Sequence, residues 1–138
     1  MTIIPTWSPA LSVRNPEVDA QHITLLELGR QLLDALAQPH DDSGERVRDL
    51  LRDIVTLSLQ HDALEERLLV ENGAENLSEH RASHSTIHAG LAALQAQAAE
   101  GTLNRNNLAQ FITDWMGHHL SETDLPAKKY FKTPKRHP

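Results

Sequence analysis

Glycine and proline divide this chain into four long stretches, and each stretch carries apolar residues at helical spacing. The breaks fall at Pro39-His40-Asp41-Asp42-Ser43-Gly44, at Gly73, at Gly101 and at Pro126. Between them the apolar side chains recur every three or four residues, the period of a helix with one buried face. Leu and Ala outnumber the β-branched residues, which favours helix over strand. A chain of 138 residues fits one domain and can bury a real core.

The spacing predicts a first helix from about Asp19 to Ala37, with Ile23, Leu26, Leu33 and Leu36 facing the core. A second runs from about Glu45 to Asn72, with Val47, Leu50, Leu51, Ile54, Leu57, Leu64 and Leu68. Asp42 and Glu45 have capping-box spacing at its start, and Gly73 ends it. A third starts near Leu77, where Asn76 and Glu79 form another capping-box pair, and stops at Gly101. A fourth runs from about Arg105, capped by Asn104, to Thr123, with Leu108, Phe111, Ile112, Trp115, Met116 and Leu120 inward. Pro126 ends it, because the residue before a proline avoids helical angles. Residues 1–18 read as an irregular arm broken by Pro5, Pro9 and Pro16, anchored by Trp7 and Leu11. Short turns between long helices imply antiparallel neighbours. The fold class is all-α, an up-down-up-down antiparallel four-helix bundle with an N-terminal arm. The division is 1–18 arm, 19–124 bundle and 125–138 tail, all in one domain.

Composition closes several functions. There is no cysteine, which excludes disulfides, thiolate metal sites and thiol catalysis. The net charge of −6 argues against nucleic acid, and the basic end KKYFKTPKRHP reads as a solvated tail. No stretch is apolar enough for a membrane span, and the first residues lack the pattern of a secretory signal. The expectation is a cytoplasmic protein, monomeric by default.

What remains is the level of seven side chains. His22, His61, Glu65, His84, His119 and Asp124 lie 15 to 21 residues along their helices from one shared end of the bundle, with His80 one turn from His84. At about 1.5 Å per residue the four histidines from separate helices stand roughly 22–26 Å from that end. His61 and Glu65 share a helix face, as do His80 and His84. His119 and Asp124 are five apart, which suits a face only where the helix is finishing. A buried charged carboxylate is costly without a partner. Five imidazoles and two carboxylates at one level make a site for two metal ions, and nitrogen donors suit iron, zinc, copper or manganese. An odd number of nitrogens leaves one ion with an open position.

The remaining polar groups read more plainly. His88 is expected near the site or at the surface, and His118 points about 100° away from His119. His40 and His137 fall in a turn and a tail. Glu66 is expected in solvent, with the orienting of a ligand histidine as its alternative; Asp19 is expected as a helix cap, and Trp115 in the core and over the site.

The segment Val18-Asp19-Ala20-Gln21-His22, then His61 with Glu65-Glu66, His80 with His84, and Trp115 followed by His119 and Asp124 resemble the hemerythrin family. The resemblance extends from Trp7 to at least Asp124. It implies a non-heme di-iron centre that binds O2 reversibly. His80, His84 and His119 would hold one iron, and His22 and His61 the other. Glu65 and Asp124 would bridge the two ions, with an oxo or hydroxo group as third link. The chain departs from the family at Asp62, where Phe is common, at Ile87, which replaces an aromatic, and at Leu69, where Met is common. Its Tyr130 also lies farther from the aspartate. Asp62 turned inward would add polarity and water beside the site; turned outward it would change nothing. The competing class is an enzyme: a di-iron oxidase or peroxidase, or a protein handling nitric oxide. Ferritin-like di-iron enzymes use more carboxylates and Glu-x-x-His pairs, and this chain has no Glu-x-x-His. A sensor would need a separate partner for output.

Overall fold

The computed structural model describes residues 4–38 and 44–132, with Leu120, Ser121 and Glu122 described by backbone alone. Four long helices form the bundle: α1 Pro16–Ala37, α2 Glu45–Glu71, α3 Leu77–Glu100 and α4 Arg105–His118. A π-helical turn, His119–Asp124, follows α4, and then a short helix α5, Leu125–Ala127. Single 3₁₀ turns flank the bundle at Pro9–Leu11 and Lys128–Tyr130. There is no strand among the described residues, and no helix there is long and apolar enough to cross a membrane. The architecture is the expected up-down-up-down bundle.

The helix starts differ from expectation in instructive ways. Helix α1 begins at Pro16, three residues before Asp19. Its cap is Asn15, whose side chain accepts from the amides of Glu17 and Val18. Pro16 therefore starts the helix instead of blocking it, since its missing N–H would have no helical partner there. Asp19 is not the cap. Its carboxylate accepts from Ser12 Oγ at 2.6 Å and from the Val13 amide at 2.9 Å, which ties the arm to the bundle. At α3, Asn76 stands at the N-cap but makes no side-chain cap bond. Asn104 does cap α4, accepting from the Asn107 amide. Gly73 and Gly101 end α2 and α3 with φ of +65° and +76°, angles a side chain resists. The Asp42–Glu45 pair, most of the first turn, and His40 and His137 lie outside the described residues.

Pro126 does not end the last helix. The chain stays helical through it, passing from the π turn into α5 with Pro126 near its N-terminus. At the far end of the bundle Arg105 donates to the carbonyls of Ala35 and Leu36 at 3.0 Å each. That bond closes the C-terminus of α1 from α4 and shows that these two ends lie together.

The core falls into two apolar clusters. The larger takes Leu25, Leu26 and Leu32 from α1, Val47 to Ile54 from α2, Leu91 and Leu94 from α3, and Leu108, Ile112, Trp115 and Met116 from α4. Ile4 joins it, and Trp7 and Leu11 pack on it. The smaller holds Val13, Val18, Leu64, Leu68, Leu69, Ala127 and Phe131. On α1, α2 and the segment that follows α4, His22, His61, His119 and Asp124 fall between residues of the two clusters. Of the expected inward residues, Ile23 is 43 % exposed, while Leu33, Leu36, Leu57 and Phe111 are half-buried. Leu25 and Leu32 hold the core positions on α1 instead. The side chain of Leu120 lies outside the described set.

Candidate metal centre

Each helix delivers its groups by its own local geometry. On α2, one helical turn puts His61 Nε2 3.0 Å from Glu65 Oε2. On α3, the same spacing stacks His80 and His84 with ring centroids 5.7 Å apart. Helix α1 brings in His22, whose Nε2 lies 2.6 Å from Asp124 Oδ2 and 3.1 Å from His61 Nε2. The five-residue gap from His119 to Asp124 is met by the π turn, whose period matches i→i+5. His119 Nε2 thus reaches Asp124 Oδ2 at 2.8 Å.

The two carboxylates share one property. Glu65 turns Oε2 to His61 and Oε1 to His84, the latter at 3.4 Å. Asp124 turns Oδ2 to His22 and His119, and Oδ1 to His80 at 3.9 Å. Each acid therefore spans from the α1–α2 histidines to the α3 histidines. Ligand atoms of His22, His61, Glu65, His119 and Asp124 all lie within 4.8 Å of one another, and those of Asp62, Glu65 and His84 form a second such group. His80 stands at the edge of both, with its ring against Phe131. The His119 ring lies between the two histidine sets, 5.3 Å from His61 and 6.5 Å from His84. The resemblance puts His119 with His80 and His84; here its Nε2 is also 3.1 Å from His61 Nε2.

All seven groups are buried or nearly so, and Glu65 and Asp124 are 0 % exposed. Both Glu65 oxygens, Asp124 Oδ1, His80 Nε2 and His84 Nε2 have no hydrogen-bond partner. Leaving one such group unsatisfied costs about 1–3 kcal/mol, and more if it is charged. Five together, aimed at a shared volume and drawn from acids and imidazoles, fit a cation. The donors are imidazole nitrogens and carboxylate oxygens, the set that suits first-row transition metals.

Without a metal, the acids and bases compensate one another. Burial disfavours charge on His61, but Glu65 and Asp124 outweigh it and hold the ring up at about 10. His84 is likewise held up at about 9 against its burial, by Glu65, Asp62 and Glu66. His119 is raised against burial, chiefly by Asp124. Burial pushes both acids up, and Asp124 pushes Glu65 up further, yet the histidines around them hold Glu65 lowered, and the histidines with a hydrogen bond to Glu65 hold Asp124 well below the usual carboxylate range. Asp62 goes the other way, because burial raises it more than His84, His61 and His119 lower it.

Supporting residues back the ligands, one of them weighed in the sequence (Glu66) and others not. His61 Nδ1–H donates to Gln21 Oε1 at 2.8 Å. The ring of His84 faces Glu66 Oε2 at 3.1 Å, and Arg81 holds the other Glu66 oxygen at 3.0 Å. Glu66 is therefore a partner of His84 and not a free surface acid. The Nδ2 of Asn76 lies 3.4 Å from His80 Nδ1. Glu66 follows Glu65 in sequence, a signal that could have been weighed more heavily. Gln21 meets its partner across two helices, and no local spacing announces that. Asp62 turns inward and is 5 % exposed, settling the alternative left open above. His88 pairs with it, Nε2 to Oδ2, at 2.6 Å. Trp115 is buried with its ring 6.4 Å from His119. A cavity of about 10 Å³ is lined by His22, Leu25, Leu26, Trp115, Met116 and His119. A wider cleft of about 260 Å³ runs between α3 and α4 from Ser83, Ile87 and Phe111 to His119.

Fold and site together define an all-α protein whose bundle holds a buried histidine–carboxylate centre fit for metal. Residues 15–129 match the Hemerythrin HHE cation binding domain, and the chain belongs to this family. Among solved structures it is similar to a wild-type hemerythrin, with a TM-score of 0.81, 22 % identity, and coverage of 94 % of this chain and 98 % of that one. Two hemerythrin mutants, a leucine-to-tyrosine and a leucine-to-alanine variant, match with the same score and identity, each over 95 % of this chain and 98 % of theirs. At that identity the likeness speaks for the fold. No curated protein matches the sequence.

Proposed function

We propose that this chain is a single hemerythrin-like domain that binds O2 reversibly at a di-iron centre held by His22, His61, Glu65, His80, His84, His119 and Asp124. The observation that carries the reading is the span of the two acids. Glu65 and Asp124 each offer one oxygen to the α3 histidines and the other to the histidines of α1, α2 or α4. Two bridging carboxylates between two groups of imidazoles are the disposition a metal pair needs. An oxo or hydroxo group would be the third link.

The irons, when bound, supply the two electrons and the open position that a diatomic ligand requires. The rest is done by the protein. Gln21 and Glu66 fix the outward nitrogens of His61 and His84, so that each Nε2 points inward. Leu25, Leu26, Trp115 and Met116 line the small cavity beside His22 and His119. It has room for about one water-sized molecule, and its apolar lining offers few hydrogen bonds to hold water. A diatomic gas tolerates such a wall; an anion or water does not. That selectivity, with five imidazoles against few acids, favours binding over oxidative turnover.

The test is an optical spectrum of iron-loaded protein under O2. The expected result is a visible band that vanishes on deoxygenation and returns on re-exposure. Steady consumption of peroxide or nitric oxide with no stable adduct would place the chain among the enzymes instead.

A further inference from the structure

Gly29 stands inside α1, buried and without the positive φ that Gly73 and Gly101 adopt. A glycine inside a helix costs stability relative to alanine, so the backbone gives no reason for it. The reason is space. A methyl group at Gly29 would overlap Met116 Sδ. It would also stand 2.9 Å from Met116 Cε and from Ile4 Cδ1, against the roughly 3.5–4.0 Å at which carbon atoms rest. The end of the Met116 side chain therefore lies on the bare backbone of α1.

The register of the two helices brings it there. Gly29 follows His22 by seven residues, which puts it about two turns, roughly 10 Å, along nearly the same face. On antiparallel α4, Met116 precedes His119 by three residues, and helical side chains tilt toward the N-terminus, here away from His119. Met116 thus leaves α4 below the level of His119 and reaches down to Gly29. It also lines the cavity of about 10 Å³, with His22, Leu25, Leu26, Trp115 and His119. Met116 is buried, and Ile4 packs in the same cluster from the arm, whose Pro5 carbonyl accepts from Arg30 Nη1 at 3.0 Å. A displaced thioether would meet packed side chains on the arm side and a void on the metal side.

We propose that Gly29 is a positioning residue for the small-ligand cavity: it seats the Met116 thioether on the α1 backbone and so keeps the space beside His22 and His119 open to a diatomic. The assignment rests on the binding reading above. A side chain at position 29 drives the thioether into that space, because methionine is unbranched and flexible and moves before the helices do.

The experiment compares the full chain with Gly29→Ala, Met116→Ala and the double variant. The chain has two methionines, Met1 and Met116, so methyl-labelled methionine gives an assignable NMR signal for Met116 in the metal-free protein. Its methyl should contact the Gly29 α-protons in the parent, and the ring protons of Trp115 or His22 in Gly29→Ala. After anaerobic loading with ferrous iron, Gly29→Ala should hold as much metal as the parent. Its O2 association in stopped flow should slow at least about tenfold, within the range that overpacking a filled space costs. Removing Met116 as well should restore the rate to that of Met116→Ala alone. A Met116 methyl that keeps its place in Gly29→Ala, or O2 association matching the parent's, would overturn the assignment and leave reversible binding standing. A parent that forms no O2 adduct would overturn the functional reading, and association of nitric oxide with the ferrous centre then decides on Gly29 by the same comparison. Should Gly29→Ala not fold, the double variant decides: it should fold, and its failure would show that Gly29 makes room for something other than Met116.

Discussion

Gln21 on α1 accepts a 2.8 Å hydrogen bond from His61 Nδ1 on α2, which leaves the other nitrogen of that ring aimed at Glu65 and Asp124. The bond fixes both tautomer and ring angle. Gln21→Leu keeps the bulk and removes the acceptor. The expected outcome is metal affinity lowered about ten- to a hundredfold for the ion that His61 holds, with the bundle intact. Chelator competition measures it; an unchanged affinity would mean that packing alone orients the ring.

The span of the acids separates two kinds of ligand loss. His22→Ala and His61→Ala should each reduce occupancy of one ion, whereas Glu65→Ala should lose both. Metal analysis after reconstitution distinguishes these outcomes. Equal retention in all three variants would defeat the ligand assignment.

Metal-free protein should lose stability toward alkaline pH. The fold raises His61 from 6.5 to about 10 and His84 to about 9, so the folded chain holds protons that the unfolded chain has given up. That stabilisation is complete below about pH 6.5 and fades as pH climbs through 9 to 10. Glu65 and Asp124 are lowered from 4.5 and 3.8, so their contribution is present above those values and fades in acid. Thermal melts of the metal-free chain should therefore peak between about pH 5 and 6.5. Iron reverses the alkaline limb, because it binds neutral imidazole. Uptake of iron at pH 7 should release protons, seen as a dependence of the binding heat on buffer ionisation. A binding heat independent of buffer would show that these rings are already neutral.

Asn15 joins both ends of the chain to α1. It caps the helix and donates from Nδ2 to the Phe131 carbonyl at 2.8 Å, while itself buried. Asn15→Ala should cost about 1–2 kcal/mol for the cap, and about 1–3 kcal/mol more for the stranded carbonyl. Urea denaturation of the metal-free chain checks it. A loss under 0.5 kcal/mol, the scale of an ordinary surface change, would show that water replaces both bonds.

Trp115 covers the cavity at His22 and His119. Trp115→Ala should destabilise the fold by about 3–5 kcal/mol and admit water beside the site. Trp115→Phe keeps most of the cover. The oxygenated form should then decay fastest in the Ala variant and at an intermediate rate in the Phe variant, followed by its visible band. Identical decay in both would remove Trp115 from any role in excluding water.

Four helices, their approximate ends and the seven ligand-type residues were legible in the order of residues, because helical period and glycine punctuation are local properties. Gly73 and Gly101 mark ends that the backbone angle confirms. Pro16 and Pro126 misled, since a proline breaks a helix interior but is at home in a first turn, and position within the turn depends on neighbours such as Asn15. The gap from His119 to Asp124 looked awkward for the same reason: its solution is a π turn, a backbone state with no signature in residue type.

Which way Asp62 turns, which residue backs His61, and how Glu66 is partnered were decided only by tertiary packing. Gln21 and His61 are 40 residues apart, and the link between Arg81, Glu66 and His84 crosses from α2 to α3. Periodicity places a side chain on a helix face to within one turn, and so brought the ligand types to one level. It carries no information about rotation between neighbouring helices. That rotation, set by how the two apolar clusters interlock, determines which oxygen faces which nitrogen.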